Sequence, residues 1–270
     1  MKSTFAHAFT KALRALPWLI VGLLACAVTL LVLAPASWVT PYVAQASHQR
    51  IELIEATGSL WHGEATLMLS AGPDTGARGP DAPAPTLLPG RIVWRTAFWP
   101  LWRVHLHSEI MQTAAMPHPV ELDLNLHQAT LTGGSLIVPA TLLTGLGSPF
   151  NTLDLKGDMR LDWTPCRVLG EQVYGQLNLT LTDLSSRVSR VSPLGSYRLN
   201  IELNGDNSAL TLATLRGPLL LEGHGQATPN TFNFDGTARA APGFGDGLTG
   251  LLNILGSPRG NGIYSLRTMP

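Results

Sequence analysis

Tyr197-Arg198-Leu199-Asn200-Ile201-Glu202-Leu203-Asn204 is the stretch that decides the fold. Apolar and polar residues alternate through it. A period of two places Tyr197, Leu199, Ile201 and Leu203 on one face of a strand and the polar residues on the other. Gly205-Asp206-Asn207 follows at once, a turn sequence that reverses the chain into a hairpin. The same pattern recurs along the chain. Val120, Leu122, Leu124 and Leu126 alternate with Glu121, Asp123, Asn125 and His127. Leu177, Leu179 and Leu181 alternate with Asn178, Thr180 and Thr182, and Phe232 and Phe234 with Asn233 and Asp235. Leu153 and Leu155 lead to Met159, Leu161 and Trp163, with Lys156, Asp158, Arg160 and Asp162 opposite and Gly157 marking a bulge. Short alternating strands joined by Gly, Asn, Asp and Pro turns predict a mainly β domain built on a large antiparallel sheet, one face dry and one wet.

The dry face must be covered, and the helical signals are few. Pro139–Leu146 and Gly247–Leu255 are short and apolar, the second ending at Gly256 as a glycine C-cap. Both suit a position across an end of the sheet. Asn261–Thr268 reads as the last strand. Three closures stay open at this level: a sandwich, a partial barrel, or one long sheet curled on itself.

Upstream, strands begin near Ile51. Arg50–Thr57 and Ser59–Ser70 flank Gly58 as a hairpin. Ala71–Gly90 holds five prolines and four glycines in 20 residues and is expected to be a flexible insertion between paired strands. Arg91–Ala97, a turn at Phe98-Trp99-Pro100-Leu101 and Trp102–Met111 continue the sheet. Trp61, Trp94, Trp99 and Trp102 fall close together. They read first as a core cluster closing one end of the sheet, and second as an aromatic belt facing a membrane.

The N-terminal region is of another kind. Pro17–Val39 has no charged residue, and its 23 residues would reach about 34 Å as a helix, against about 30 Å for a bilayer core. Trp18 and Trp38 stand near its ends, and Lys2, Lys11 and Arg14 precede it without an acid. That bias predicts residues 1–16 in the cytoplasm, a retained single-pass anchor at 17–39, a juxtamembrane connector at 40–50 and an exported β domain at 51–270. Ala34 and Ala36 also fit an A-x-A cleavage site, so a removed signal is the alternative.

Composition narrows the function classes. The first 40 residues carry +3 and the rest −3, which leaves no basic footprint for nucleic acid. Two cysteines, Cys26 inside the apolar run and Cys166 beyond it, exclude a disulfide framework and a four-cysteine zinc site. Gly245, Gly247 and Gly250 match G-x-G-x-x-G, but no βαβ unit surrounds them and no acid follows Asp246, so they are turn and helix-entry glycines. His105 and His107 share a strand face, and His118 and His127 lie further on, without the spacing of a metal centre. Asp154, Asp158 and Asp162 read as a solvated face. Asn178-Leu179-Thr180 matches a glycosylation acceptor by chance inside a strand. No catalytic set, metal site or cofactor site is expected.

Three segments together resemble a known family. Gly58-Ser59-Leu60-Trp61-His62-Gly63-Glu64-Ala65 is similar to the G-x-x-W-x-G-x-A signature that follows the anchor in protein N of the type II secretion system. Arg91-Ile92-Val93-Trp94 with Pro100-Leu101 resembles the W…P hairpin after it. Leu252-Asn253-Ile254-Leu255-Gly256 with Gly260-Asn261-Gly262-Ile263-Tyr264 resembles the family's closing L-x-x-L-G…G-x-Y. The insertion Ala71–Gly90 is longer than the family's usual loop. The resemblance implies an inner-membrane protein with a periplasmic β domain, accessory to protein export across the outer membrane. It implies partners among the other secretion components, no catalytic residues and no cofactor. Gly58, Trp61, Gly63, Trp94, Pro100, Leu255, Gly256, Gly262 and Tyr264 would then be structural. A second reading is a lipid-handling module, since a long sheet with one apolar face also resembles the groove of AsmA-like proteins. Leu122, Leu124, Leu177, Leu179, Leu199 and Ile201 would line that face.

Overall fold

The alternating stretches pair as their period demands. In the computed structural model Leu177, Leu179 and Leu181 lie opposite Ile201, Leu199 and Tyr197. Residues directly opposite in an antiparallel pair share a face, so the apolar rows merge. The structure describes residues 21–26, 28–70, 85–98, 104–146, 150–229 and 231–267.

Among the described residues seventeen strands form one sheet. In chain order they are β1 (Ile51–Gly58), β2 (His62–Leu69), β3 (Thr86–Leu87), β4 (Ile92–Ala97), β5 (Leu106–Gln112), β6 (Val120–Leu124), β7 (Gln128–Leu131) and β8 (Gly134–Pro139). Then come β9 (Leu155–Trp163), β10 (Cys166–Leu169), β11 (Gln172–Ser186), β12 (Gly195–Gly205), β13 (Asn207–Arg216), β14 (Leu219–Ala227), β15 (Phe232–Ala240), β16 (Ser257–Gly260) and β17 (Ile263–Arg267). Every pairing is antiparallel. The neighbours run β1, β2, β4, β5, β6, β7, β10, β11. They continue β12, β13, β14, β15, β17, β16. β3 extends the β4 side of β2, and β9, with β8 outside it, takes over from β10 along β11. Among the described residues β1 and β16, at the two ends of this order, and β3 and β8, set along it, each have one strand partner. The sheet is therefore open, and of the three closures the single long sheet is the one adopted.

Direct pairing carries one face across the whole sheet. It passes through Leu53 and Leu67, Trp94 and Ile110, Leu122 and Leu131, Leu179 and Leu199, then Leu221 and Ala238. Three core clusters lie along it. Ala36, Ala65 and Trp94 form one, and Leu88, Ala115, Val138 and Leu142 the next. The largest gathers Leu155, Leu184, Leu194, Tyr197 and Leu219 under Leu248, Leu251 and Leu252 of the helix Gly245–Leu255. That helix and the 3-10 helix Ala140–Leu146 cap one end of the strands, as their apolar composition suggests.

Several expectations need correction. Within Ala71–Gly90, Thr86–Leu87 pairs with β2 and Leu88 is buried, because an apolar Thr-Leu-Leu can complete the ladder and the second core cluster. Residues 71–84 lie outside the described residues. The connector 40–50 contains a helix, Thr40–Ala46. Gly157 does mark a bulge, and the extra residue is on the partner strand. Two residues of β11, Asp183 and Leu184, stand against it where one would pair, and Asp183 takes φ 50°. A Cβ on Gly157 would lie 2.7 Å from the Thr182 carbonyl oxygen, so glycine makes room for the bulge opposite. Gly256 is extended at φ −170°, not left-handed. A Cβ there would come 2.2 Å from the Ser265 carbonyl oxygen, so close approach of β17 selects glycine. The last strand is a hairpin instead: Asn261 and Gly262 both take positive φ between β16 and β17, which an Asn-Gly turn provides.

Among the described residues no helix is long and apolar enough to cross a membrane. Helix covers 21–26 and 28–32 of the expected anchor, while 1–20 and residue 27 lie outside the described residues. Trp99, Pro100 and Trp102 lie outside them too.

Candidate functional site

Two features stand out: a socket that holds the end of the N-terminal helix, and an apolar cavity over β9 to β17. The socket is built by Gly58 to Gly63, the connection between β1 and β2. The last carbonyls of a helix have no partner within it. Trp61 Nε1 donates to the Leu31 carbonyl at 2.9 Å, and Leu60 N donates to that of Ala34 at 2.8 Å. Pro35 bridges Ser59, and Ala34 and Ala36 are buried. Each glycine of the signature has a steric reason. Gly58 takes φ +86°, and its Cβ would clash with the His62 carbonyl at 2.4 Å. A Cβ on Gly63 would lie 2.4 Å from the Trp94 ring. Trp94 packs there and donates Nε1 to the Leu60 carbonyl at 3.2 Å. Phe98 meets Trp61 edge to face at 5.1 Å between centroids. Trp61 and Trp94 are thus buried core residues, the first of the two readings of the aromatic cluster.

The helix so held exposes its apolar side chains. Leu23 is 76 % exposed and Leu33 is 70 % exposed. Beyond the socket Trp38 and Tyr42 are also exposed.

The cavity holds about 580 Å³, within the range of small-ligand sites. Its floor is Leu179, Leu199, Leu210 and Leu212, its capped end Leu143, Leu251 and Leu255, and its far side Phe232, Phe234 and Leu266. Among the described lining residues Tyr197 carries the one polar side-chain group. Its hydroxyl lies 3.1 Å from the Leu194 carbonyl and 3.0 Å from that of Leu219, and burial pushes its phenol well up. Of the candidate lipid-facing residues, Leu179 and Leu199 line the cavity. Leu177 and Ile201 pair beside it on the same face, and Leu122 and Leu124 lie on that face in β6, away from the cavity. Leu255 lines it, Tyr264 packs against the core beneath, and Gly262 forms the β16–β17 turn. Reading the sequence missed β14, whose Gly223 and Gly225 lie under the Phe234 ring.

The polar candidates lie outside the cavity, paired near the surface. His105 and His107 both meet Asp123 Oδ1, at 3.1 and 2.7 Å, and His105 Nδ1 also meets Asn125. The hydrogen bond to Asp123 raises the His107 pKa and lowers that of Asp123. Among the described residues no group of three His, Cys, Asp or Glu is arranged to hold a metal. Arg160 with Asp162 and Arg187 with Asp154 are surface pairs. Cys26 and Cys166 are free thiols, and burial pushes the Cys166 thiol up. Gly245, Gly247 and Gly250 all lie within the helix Gly245–Leu255, where a Cβ on Gly247 would strike Val191 at 2.6 Å.

No curated protein and no solved structure matches the chain. The family model of type II secretion system (T2SS), protein N, matches residues 49–267, from the start of β1 to the end of β17. That span takes in the W-G socket, the sheet and the closing hairpin, so the chain belongs to the type II secretion system protein N family.

Proposed function

We propose that the chain is an inner-membrane-anchored accessory component of the type II secretion system, acting without catalysis through contacts with other components. The N-terminus lies in the cytoplasm and the sheet in the periplasm. The observation that carries the tether is the Trp61–Leu31 bond, with Ala34 and Ala36 buried beside it. A helix due for removal has no need of a socket in the mature domain. Cleavage after Ala36 would also take away the first residues that fill it.

The edges at β1 and β16 argue against partner binding by strand addition there. Helix Thr40–Ala46 packs on β1, and Ser47 Oγ accepts from Ile51 N at 3.0 Å. Glu55 breaks the same strand with φ 52°. β16 is four residues long and holds Pro258. These are the devices that keep edges unpaired. Contacts with partners then fall to side chains and loops. Two measurements test the proposal. N-terminal sequencing of the membrane-bound protein should find no start near Ser37. Deletion of the gene should stop secretion of folded substrates, and undiminished secretion would refute the role.

A second reading is favoured by the cavity. Its described lining residues offer a ligand no free side-chain hydrogen-bonding group, so a peptide backbone would be left unsatisfied there while a hydrocarbon chain would not. On this reading the cavity holds an acyl chain of a lipid. Mass spectrometry of lipid extracted from the purified full chain tests it. Leu199→Glu with Leu212→Glu, a directly opposed pair on the floor, should remove any bound lipid. Absence of lipid from the unmodified protein sinks this reading and leaves the first untouched.

A further inference from the structure

We propose that Trp38 and Tyr42 form a membrane-seating surface, held at the bilayer interface by the Trp61 socket, so that the sheet stands on the membrane through a fixed joint. This rests on the tether reading above. Three observations lead to it. First, the chain between helix and sheet is not a free linker. Trp61 holds Leu31, Leu60 holds Ala34, and Ala34 and Ala36 are each 1 % exposed. The helix cannot swing without breaking these contacts.

Second, the aromatics after the joint sit on one side. Trp38 and Tyr42 are four residues apart, one helical turn, and are 54 % and 72 % exposed. Val39 and Val43, about 100° further round the helix, are half-buried where the helix Thr40–Ala46 packs on β1. Such a segment has one side occupied by the sheet and one side waiting for a partner.

Third, the chemistry of that side fits one partner. Rings with an apolar body and a polar tip belong at the headgroup level of a bilayer. The surface continues directly from the exposed apolar helix ending at Leu33, so the bilayer that takes the helix meets these rings next. The segment Ala34–Ala46 contains no charged residue that would call for a charged protein surface instead.

The test uses the full chain in vesicles of phosphatidylethanolamine and phosphatidylglycerol, with Cys166→Ser throughout. A bimane label is placed either on the native Cys26 or, in a Cys26→Ser background, on Tyr42→Cys or Thr211→Cys. Thr211 is exposed on the polar face of β13. Lipids carry a nitroxide at a shallow or a deep position. Fluorescence at Cys26 should be lost to the deep quencher, fluorescence at Tyr42→Cys to the shallow one, and fluorescence at Thr211→Cys to neither. Loss at Cys26 with none at Tyr42→Cys overturns the seating and leaves the tether standing. A protein partner for the aromatics would give that same pattern. No loss at either position removes the tether and the seating with it. Trp61→Phe keeps the ring and deletes the bond to Leu31. It should weaken shallow quenching at Tyr42→Cys without changing quenching at Cys26. Unchanged quenching at Tyr42→Cys would show that the socket does not set the joint.

Discussion

A methyl group added at Gly63 would lie 2.4 Å from Trp94 and 2.7 Å from the Ser59 carbonyl, so Gly63→Ala must shift either a buried ring or backbone. Overpacking of this kind costs about 1–3 kcal/mol, to be read from denaturant midpoints. Gly250→Ala is the contrast. It sits inside a helix with open space around it, and should stabilise by about 0.5–1 kcal/mol. A loss at Gly250 as large as at Gly63 would contradict the steric argument. A structural character for Gly58, Trp61, Gly63 and Trp94 was what the family resemblance implied, and the steric contacts of the two glycines fit it. What Trp61 binds was not legible, because Leu31 lies 30 positions away and a carbonyl open to a side-chain donor follows from where a helix stops. The strand histidines carry a pH signature. The hydrogen bond to Asp123 raises His107 above its ordinary 6.5, so its contribution is full below 6.5 and is lost as pH rises through the raised value. Asp123 is lowered from 3.8, so its contribution is present above 3.8 and is lost as pH falls through the lowered value. The pair therefore supports the β5–β6 contact most between these two limits, modestly, because both side chains are about a third exposed. An NMR titration of His107 should show its midpoint falling in Asp123→Asn. An unmoved midpoint would rule the contact out in solution.

At the scale of elements, legibility followed the alternation. β11 and β12 could be read because every second residue is apolar, and the hairpin from β12 into β13 because Gly205-Asp206 marks its turn. β14 could not, because on its buried face Gly223 and Gly225 leave the filling to Phe234 of the next strand. A period of two in hydropathy disappears when one strand supplies the ring and its neighbour the space. The β11 bulge was half legible. Gly157 marked the place, but the extra residue is on the partner strand, where Arg216 pairs with Asp183 at 2.8 Å and Ser196 Oγ accepts from Asp183 N. Tyr197 fixes this end of the sheet. It is 1 % exposed, and its hydroxyl is the one polar side-chain group among the described lining residues of the cavity. Tyr197→Phe keeps the ring and leaves the Leu219 carbonyl without that donor, which should cost about 1–3 kcal/mol. Leu251→Ala in the capping helix should cost about 2–5 kcal/mol, because its side chain is fully buried between helix and sheet. Thermal or urea unfolding monitored on the sheet measures both. A neutral Leu251→Ala would mean that the helix does not close the core.

For the whole molecule, the sheet's order is close to its chain order, and this sets how stability is distributed. Most neighbours are consecutive strands; β2 also reaches past β3 to β4 and β15 past β16 to β17, and the larger departure is where β7 pairs with β10 while β9 and β10 share one side of β11. Which closure such a chain adopts was not legible, because a sandwich, a barrel and an open sheet all need the same alternating residues. The choice rests on the two ends, where β1 is covered by a helix and interrupted by Glu55, and β16 is short and holds Pro258. Neither end can pair with the other as a long regular strand would. An open sheet of this kind should open from its margins inward. Strands β11 to β14 each have neighbours on both sides and share the largest core cluster, whereas β3 is two residues long and β16 has one neighbour and an exposed surface. Native-state hydrogen exchange of the full chain in detergent should therefore find the slowest amides in β12 and β13. Exchange should quicken towards β16 on one side and β3 on the other, because local opening is cheapest where few buried contacts are broken. Ile51 should be slow for a margin residue, since its N–H is bonded to Ser47. Uniform protection across the sheet would mean that it unfolds only as a whole. Fast exchange in β12 and β13 would mean that the capped core is not the stable centre of the molecule.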